Sequence, residues 1–219
     1  MDKDRKLIYD SDGQTFRLVD ADTPGQGIAF DRMDVHSAER AKKTMEEMHR
    51  TDIEHFRTQA KMPVTVVLDN IRSLNNIGSI FRTCDGFACR SIALCGITAV
   101  PPSPQIHKTA LGAEESMHWQ YYNTTAEAVR TLQAEGVKVL CLEQVHGSIP
   151  LQNFVPEPGQ QYALVVGNEV EGVDPDIVAM CDGYIEIPQS GTKHSFNVAV
   201  ATAITLWEFY RHSDVIGEV

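Results

Sequence analysis

The sequence is poor in the features that mark several large classes of protein. It has no apolar run approaching the roughly 20 residues that cross a bilayer, and its opening stretch, MDKDRKLIYDSDGQ, alternates charges where a secretory leader needs an apolar core. A soluble, cytoplasmic protein without a membrane partner is expected. None of the five cysteines (Cys84, Cys89, Cys95, Cys141 and Cys181) belongs to a CxxC pair, and all sit in apolar surroundings. They read as buried, reduced thiols, and no metal is expected. The glycine fingerprints GxGxxG and GxxxxGK[ST] are both missing, which weakens a dinucleotide-dependent enzyme or a P-loop nucleotide enzyme. Basic charge is scarce as well. With 19 Lys and Arg against 30 Asp and Glu, the net charge of −11 argues against a protein that coats nucleic acid nonspecifically.

The charge that is present is unevenly placed. Residues 62–112 hold four basic side chains (Arg72, Arg82, Arg90 and Lys108) against two acidic ones, whereas residues 113–219 hold four basic against fifteen acidic. An anionic ligand is best received by the middle third, with Lys193 available if these side chains converge. At 219 residues the chain suits one full α/β domain with an appendage.

From residue 63 onward, apolar runs alternate with amphipathic ones. PVTVVLD (63–69), SIALCG (91–96), VKVLCLEQV (137–145), QYALVVGNE (161–169) and GYIEIP (183–188) read as strands. Helices are expected near 77–88, 124–135, 174–181 and 195–212. This alternation predicts an α/β fold, a mainly parallel sheet flanked by helices on both faces. Residues 1–61 differ: a Gly-, Pro- and Asp-rich segment suited to an extended arm or turn precedes a charged helix over about 36–60. The expected division is an N-terminal extension, 1–61, and a main domain, 62–219. The extension's helix packs on the domain as a solvated face, or else supports RNA or dimer contacts.

Three stretches can carry chemistry. In NNIGSIFRTCDGF (75–87), an Asn caps a helix, Gly78 permits a close backbone approach, and Arg82 is either a snorkelling side chain pairing with Asp85 at i+3 or a group aimed at a ligand. In LVVGNEVEGVD (164–174), Gly167, Asn168 and Glu169 fall at the carboxyl end of a strand, the edge at which open α/β sheets bind ligands. In IPQSGTKHSFNVAVATAI (187–204), Ser195 suits an N-cap, while Asn197 inside a first turn competes with the backbone and asks for another role. Phe196, Val200, Ile204 and Trp207 form a seam expected to face inward, leaving Ser195 and Asn197 toward the loop ends.

Taken together, these stretches resemble the SpoU-type branch of the SPOUT RNA methyltransferases. The family's N-x-G-x-x-x-R is matched by Asn76, Gly78 and Arg82; its GNE followed by Gly is matched by Gly167–Glu169 and Gly172. Its I-P loop ending in S-L-N is matched by Ile187, Pro188 and Ser195-Phe196-Asn197, with Phe196 where the family usually carries leucine. The similarity spans about 63–212. It implies a C-terminal trefoil knot, a homodimer, S-adenosylmethionine as cofactor, and methyl transfer to a ribose 2'-hydroxyl of tRNA or, second, rRNA. It also implies a catalytic set of Asn76, Arg82, Glu169, Ser195 and Asn197, with Gly167, Ile187 and Phe196 lining the cofactor site, largely through fixed backbone donors and acceptors. The competing readings are an RNA-binding protein that kept the fold without catalysis, and a nucleotide-using small-molecule enzyme.

Overall fold

A computed structural model of the chain describes residues 51–215 and three strands nearer the N-terminus. The chain divides into two compact units, Met1–Arg50 and Thr51–Val219. In the first, β1 (Arg5–Tyr9), β2 (Phe16–Asp20) and β3 (Ala29–Phe30) form an antiparallel sheet in that order. Strands β2 and β3 meet the two ends of the Gly-, Pro- and Asp-rich stretch 20–30, whose interior, 21–28, lies outside the described residues. Most of the expected helix, 36–50, lies outside the described residues. Its last part is α1 (Ile53–Thr58), capped by Asp52 and anchored in the second unit by buried Phe56.

The second unit is built on β4 (Met62–Asp69), β5 (Cys89–Cys95), β6 (Trp119–Tyr122), β7 (Lys138–Leu142), β8 (Ile149–Pro150), β9 (Tyr162–Val166) and β10 (Gly183–Glu186). Every pairing in this seven-stranded sheet is parallel, and the strand order is β6-β5-β4-β9-β7-β10-β8. Parallel strands need crossovers, and the helices that make them cover both faces, so the inner strands are apolar almost throughout. Strand β4 shows the two-residue period directly. Val64, Val66 and Leu68 enter one core with Ile77, Ile80 and Phe81 of α2 (Leu74–Gly86), whereas Val67 enters the opposite core with Ala128, Val129 and Leu132 of α5 (Thr125–Ala134).

The short helices α3 (Pro104–Ala110), α4 (Ala113–Ser116) and α6 (Pro175–Val178) complete the layers with α7 (Val198–Tyr210). Two expectations about α7 and its approach are corrected. The residue that caps it is Asn197, not Ser195: Oδ1 of Asn197 accepts from the N–H groups of Ala199 (3.0 Å) and Val200 (3.4 Å). The seam of Phe196, Val200, Ile204 and Trp207 faces outward, with exposures of 43%, 48%, 37% and 52%, while Ala199, Thr202, Thr205, Leu206 and Phe209 form the buried face. Thr202 and Thr205 reach that face at no polar cost because their hydroxyls donate to the carbonyls of Val198 and Ala201 within the helix.

Gly78 also has a structural explanation. A Cβ there would stand 2.1 Å from Oγ1 of Thr109 and 2.3 Å from the Ile106 carbonyl oxygen, so what approaches the glycine is α3. Asp85 is not bound to Arg82; it accepts from the Ser116 hydroxyl and ties α2 to α4.

Candidate active site

The carboxyl ends of β7, β9 and β10 open into a pocket of about 520 Å³ that is closed on one side by the approach to α7. Its far wall is the turn after β9. Asn168 pairs with Gly172 as an isolated antiparallel bridge, both N–H···O distances being 3.1 Å, and Oδ1 of Asn168 accepts from the N–H groups of Val170 and Glu171 at 2.9 Å. The turn is tight enough to dictate glycine twice. A Cβ on Gly167 would fall 2.0 Å from the Gly172 carbonyl carbon, and Gly172 itself has φ +73° with Oε2 of Glu143 2.3 Å from its would-be Cβ.

This turn delivers Glu169 to the start of α2. Its Oε1 accepts from the Ser73 N–H (3.0 Å) and from Nδ2 of Asn76 (2.8 Å), and its Oε2 accepts from the Arg72 N–H (3.1 Å). Partial burial pushes the Glu169 carboxyl up, but the hydrogen bonds from Asn76 and from the backbone outweigh it and hold the group below its ordinary range. Oδ1 of Asn76 then accepts from Nδ2 of Asn197 at 3.1 Å. One amide therefore joins the turn after β9 to the cap of α7, across 93 residues of chain on one side and 121 on the other.

Six of the residues expected from sequence line this pocket: Gly167, Glu169, Ile187, Ser195, Phe196 and Asn197. Asn76 stands behind them, 8% exposed and bonded to two of them. Ser195 is exposed and makes no hydrogen bond among the described residues, and Phe196 is exposed at the pocket rather than buried in the core. Arg82 is not brought to the pocket. It is exposed on α2 and forms no ion pair among the described residues. The basic side chains do not all converge either: Arg90 lies at the amino end of β5 and donates to Gln161, at the opposite edge of the sheet.

Two further residues belong to the site. Glu143, directly after β7, accepts from the Val173 N–H (3.1 Å) and so buttresses the glycine turn. Gln144 donates from Nε2 to the His194 carbonyl (2.9 Å) and holds the loop before α7. Their one sequence signal is position, immediately past an apolar strand in VKVLCLEQV. The pocket's charge is one-sided: Glu143, Glu169, Glu171 and Glu186 line it, and among the described residues no Lys or Arg does.

Residues 63–207, about two thirds of the chain and every residue that lines the pocket, match the SpoU rRNA Methylase family. The chain belongs to the SpoU methylase family. Among its relatives is the 23S rRNA (guanosine-2'-O-)-methyltransferase RlmB of Vibrio parahaemolyticus, 28% identical over 171 residues, 77% of this chain and 67% of that protein. A TrmH family relative from Staphylococcus saprophyticus is 25% identical over 162 residues, 74% of this chain and 64% of its own length. The AdoMet-bound rRNA methyltransferase of Sinorhizobium meliloti superimposes with a TM-score of 0.64 at 27% identity, covering 70% of this chain and 60% of that one. The chain thus spans somewhat less than two thirds of the length of several relatives it matches. The SpoU match begins at Pro63, so the strands β1–β3 lie before the matched region.

Proposed function

We propose that this SpoU family member transfers a methyl group from S-adenosylmethionine to a ribose 2'-hydroxyl of RNA, with tRNA the first choice of substrate and rRNA the second. The observation that carries the reading is the bonded line Glu169–Asn76–Asn197, which fixes three distant family motifs around one pocket at the carboxyl edge of the sheet. The pocket suits this cofactor in size and charge, since four carboxylates favour a ligand that bears a cationic sulfonium. S-adenosylmethionine supplies a methyl on positively charged sulfur, which keeps the bonding pair and leaves as a neutral thioether when the methyl moves. Gly167, Ile187 and Phe196 frame the cofactor, the first through backbone that the glycine turn holds rigid.

The receiving hydroxyl is a weak nucleophile, so the chain's own residues have to orient it and stabilise the charge that develops on oxygen as its proton leaves. Ser195 and Asn197 hold the ribose or the cofactor end, and Glu169 keeps the Asn76 amide in register. Arg82 holds phosphate and stabilises the nascent alkoxide, a role suited to a guanidinium, which stays charged. Because Arg82 stands clear of its own pocket, we assign it to the pocket of a second copy of the chain. The outward seam of Val200, Ile204 and Trp207 on α7 is a suitable face for that homodimer, and the trefoil knot of the family is expected around the same loops.

Complementation tests this arrangement. Arg82→Ala and Asn197→Ala chains, each inactive alone, should recover part of the methyl transfer when mixed and allowed to exchange subunits. No recovery would place Arg82 in its own subunit's site. Arg82→Lys separates the roles of the side chain: near-normal turnover with only weaker RNA binding would contradict stabilisation of the transition state.

A further inference from the structure

At the corner between α3 and α4, three potential ligand side chains meet. A ring nitrogen of His107, a carboxylate oxygen of Glu114 and one of Glu115 all lie within 4.8 Å of one another. The Glu114 side chain is 9% exposed; its Oε1 stands 2.5 Å from His107 Nδ1, and its Oε2 is buried with no hydrogen-bond partner. A buried carboxylate oxygen left unpaired costs about 1–3 kcal/mol or more, so a native fold that keeps one there needs a compensating partner.

The neighbouring side chains leave room for that partner to be a cation. Arg57 donates from Nη2 to the main-chain oxygen of Glu115 and forms no ion pair with its carboxylate. Both glutamates line a second cavity, of about 700 Å³, which also reaches the amino-terminal residues Cys89 of β5 and Trp119 of β6. It therefore lies at the opposite edge of the sheet from the pocket described above and gives an ion both an entry path and open coordination positions. Lys61 and Arg90 line the same cavity but are engaged elsewhere: Lys61 Nζ sits 3.0 Å from the centroid of the Phe56 ring and Arg90 donates to Gln161, so neither pairs with Glu114 or Glu115.

We propose that His107, Glu114 and Glu115 bind a divalent transition-metal ion of the zinc class. One imidazole and two carboxylates are a recognised donor set for such an ion, with a water completing the tetrahedron. Ligand distances of about 2.0–2.2 Å require the three donor atoms to close to roughly 3.4 Å from one another. Rotation of the exposed His107 and Glu115 side chains about the fixed Glu114 achieves this. The ion satisfies Oε2 of Glu114 and cross-links α3 to α4 over the turn at Leu111 and Gly112, both of which are left-handed. The site makes no use of the residues assigned to methyl transfer.

The test is titration of chelator-treated, tag-free full-length protein with Zn²⁺ by calorimetry, and with Co²⁺ by visible absorption. The wild type should bind one equivalent more than His107→Ala or Glu115→Gln, both exposed positions whose melting temperature in EDTA should equal that of the wild type. Glu114→Gln should weaken binding at that equivalent at least ten-fold. Zn²⁺ should raise the melting temperature of the wild type and not of His107→Ala. Equal stoichiometry and affinity in the wild type and both exposed variants, or no binding by the wild type, would overturn the assignment.

Discussion

Asn197 donates from Nδ2 to Oδ1 of Asn76 at 3.1 Å while its own Oδ1 caps the amino end of α7, so a single side chain starts one helix and ties it to the start of another. Asn76 passes the constraint on to Glu169 at 2.8 Å. The line is directional, with each amide nitrogen donating toward the carboxylate. Asn76→Asp reverses it at one point by placing an acceptor against Oε1 of Glu169. The expected result is a loss of about 1–3 kcal/mol in stability and of most methyl transfer, read by thermal denaturation and by an RNA methylation assay. Asn197→Ala, which also removes the cap, should cost about 1 kcal/mol or somewhat more.

Gly78 and Gly167 are both too crowded for a Cβ, but in different places. Gly78→Ala pushes α3 away from α2 and should lower the melting temperature, by an amount equivalent to about 1–3 kcal/mol, with S-adenosylmethionine affinity largely retained. Gly167→Ala opens the turn after β9 and should abolish cofactor binding in calorimetry. Equal effects of the two substitutions on cofactor affinity would contradict this division.

The α/β layering was legible because the inner strands are apolar almost without interruption, as in VTVVL and YALVV, and the helices between them carry polar faces. The orientation of α7 was not. Its sequence is apolar on nearly every side, so no periodicity distinguishes the face that packs from the face that is exposed, and Thr202 and Thr205 hide their polarity in bonds to their own helix. Ser195 and Asn197 are both competent caps two positions apart, and the choice between them rests on Asn76, far away in sequence. The short edge strand β6, WQYY, is exposed at its middle residues and offered no alternating pattern. Glu169 and the glycine turn could be placed because they directly follow an apolar strand, whereas the exposed position of Arg82 depends on how its helix is docked.

Glu169 gives a pH dependence of definite sign. Its carboxyl titrates below the ordinary 4.5 in the folded chain. Its contribution to stability is complete above the ordinary carboxylate range and is lost as pH falls through the lower native value. The difference in melting temperature between the wild type and Glu169→Gln should therefore be constant above about pH 5.5 and narrow on acidification. A gap that widened in acid would refute the hydrogen-bonded carboxylate.

The outward seam of α7 predicts association. Trp207→Glu and Ile204→Glu, at 52% and 37% exposed positions, should yield a monomer in sedimentation analysis, with a melting temperature close to that of the wild type at low protein concentration. They should also depress methyl transfer, because each pocket then lacks the Arg82 of the partner subunit. An unchanged sedimentation coefficient would remove α7 from the interface.

The most direct measurement is incubation of the protein with methyl-labelled S-adenosylmethionine and total RNA, followed by alkaline hydrolysis. A methylated 2'-oxygen cannot attack its neighbouring phosphodiester, so the account predicts that label is retained in alkali-resistant dinucleotides, and that Asn197→Ala greatly reduces it. Label found on base carbons or nitrogens, or no label in any RNA fraction, would contradict transfer to ribose oxygen.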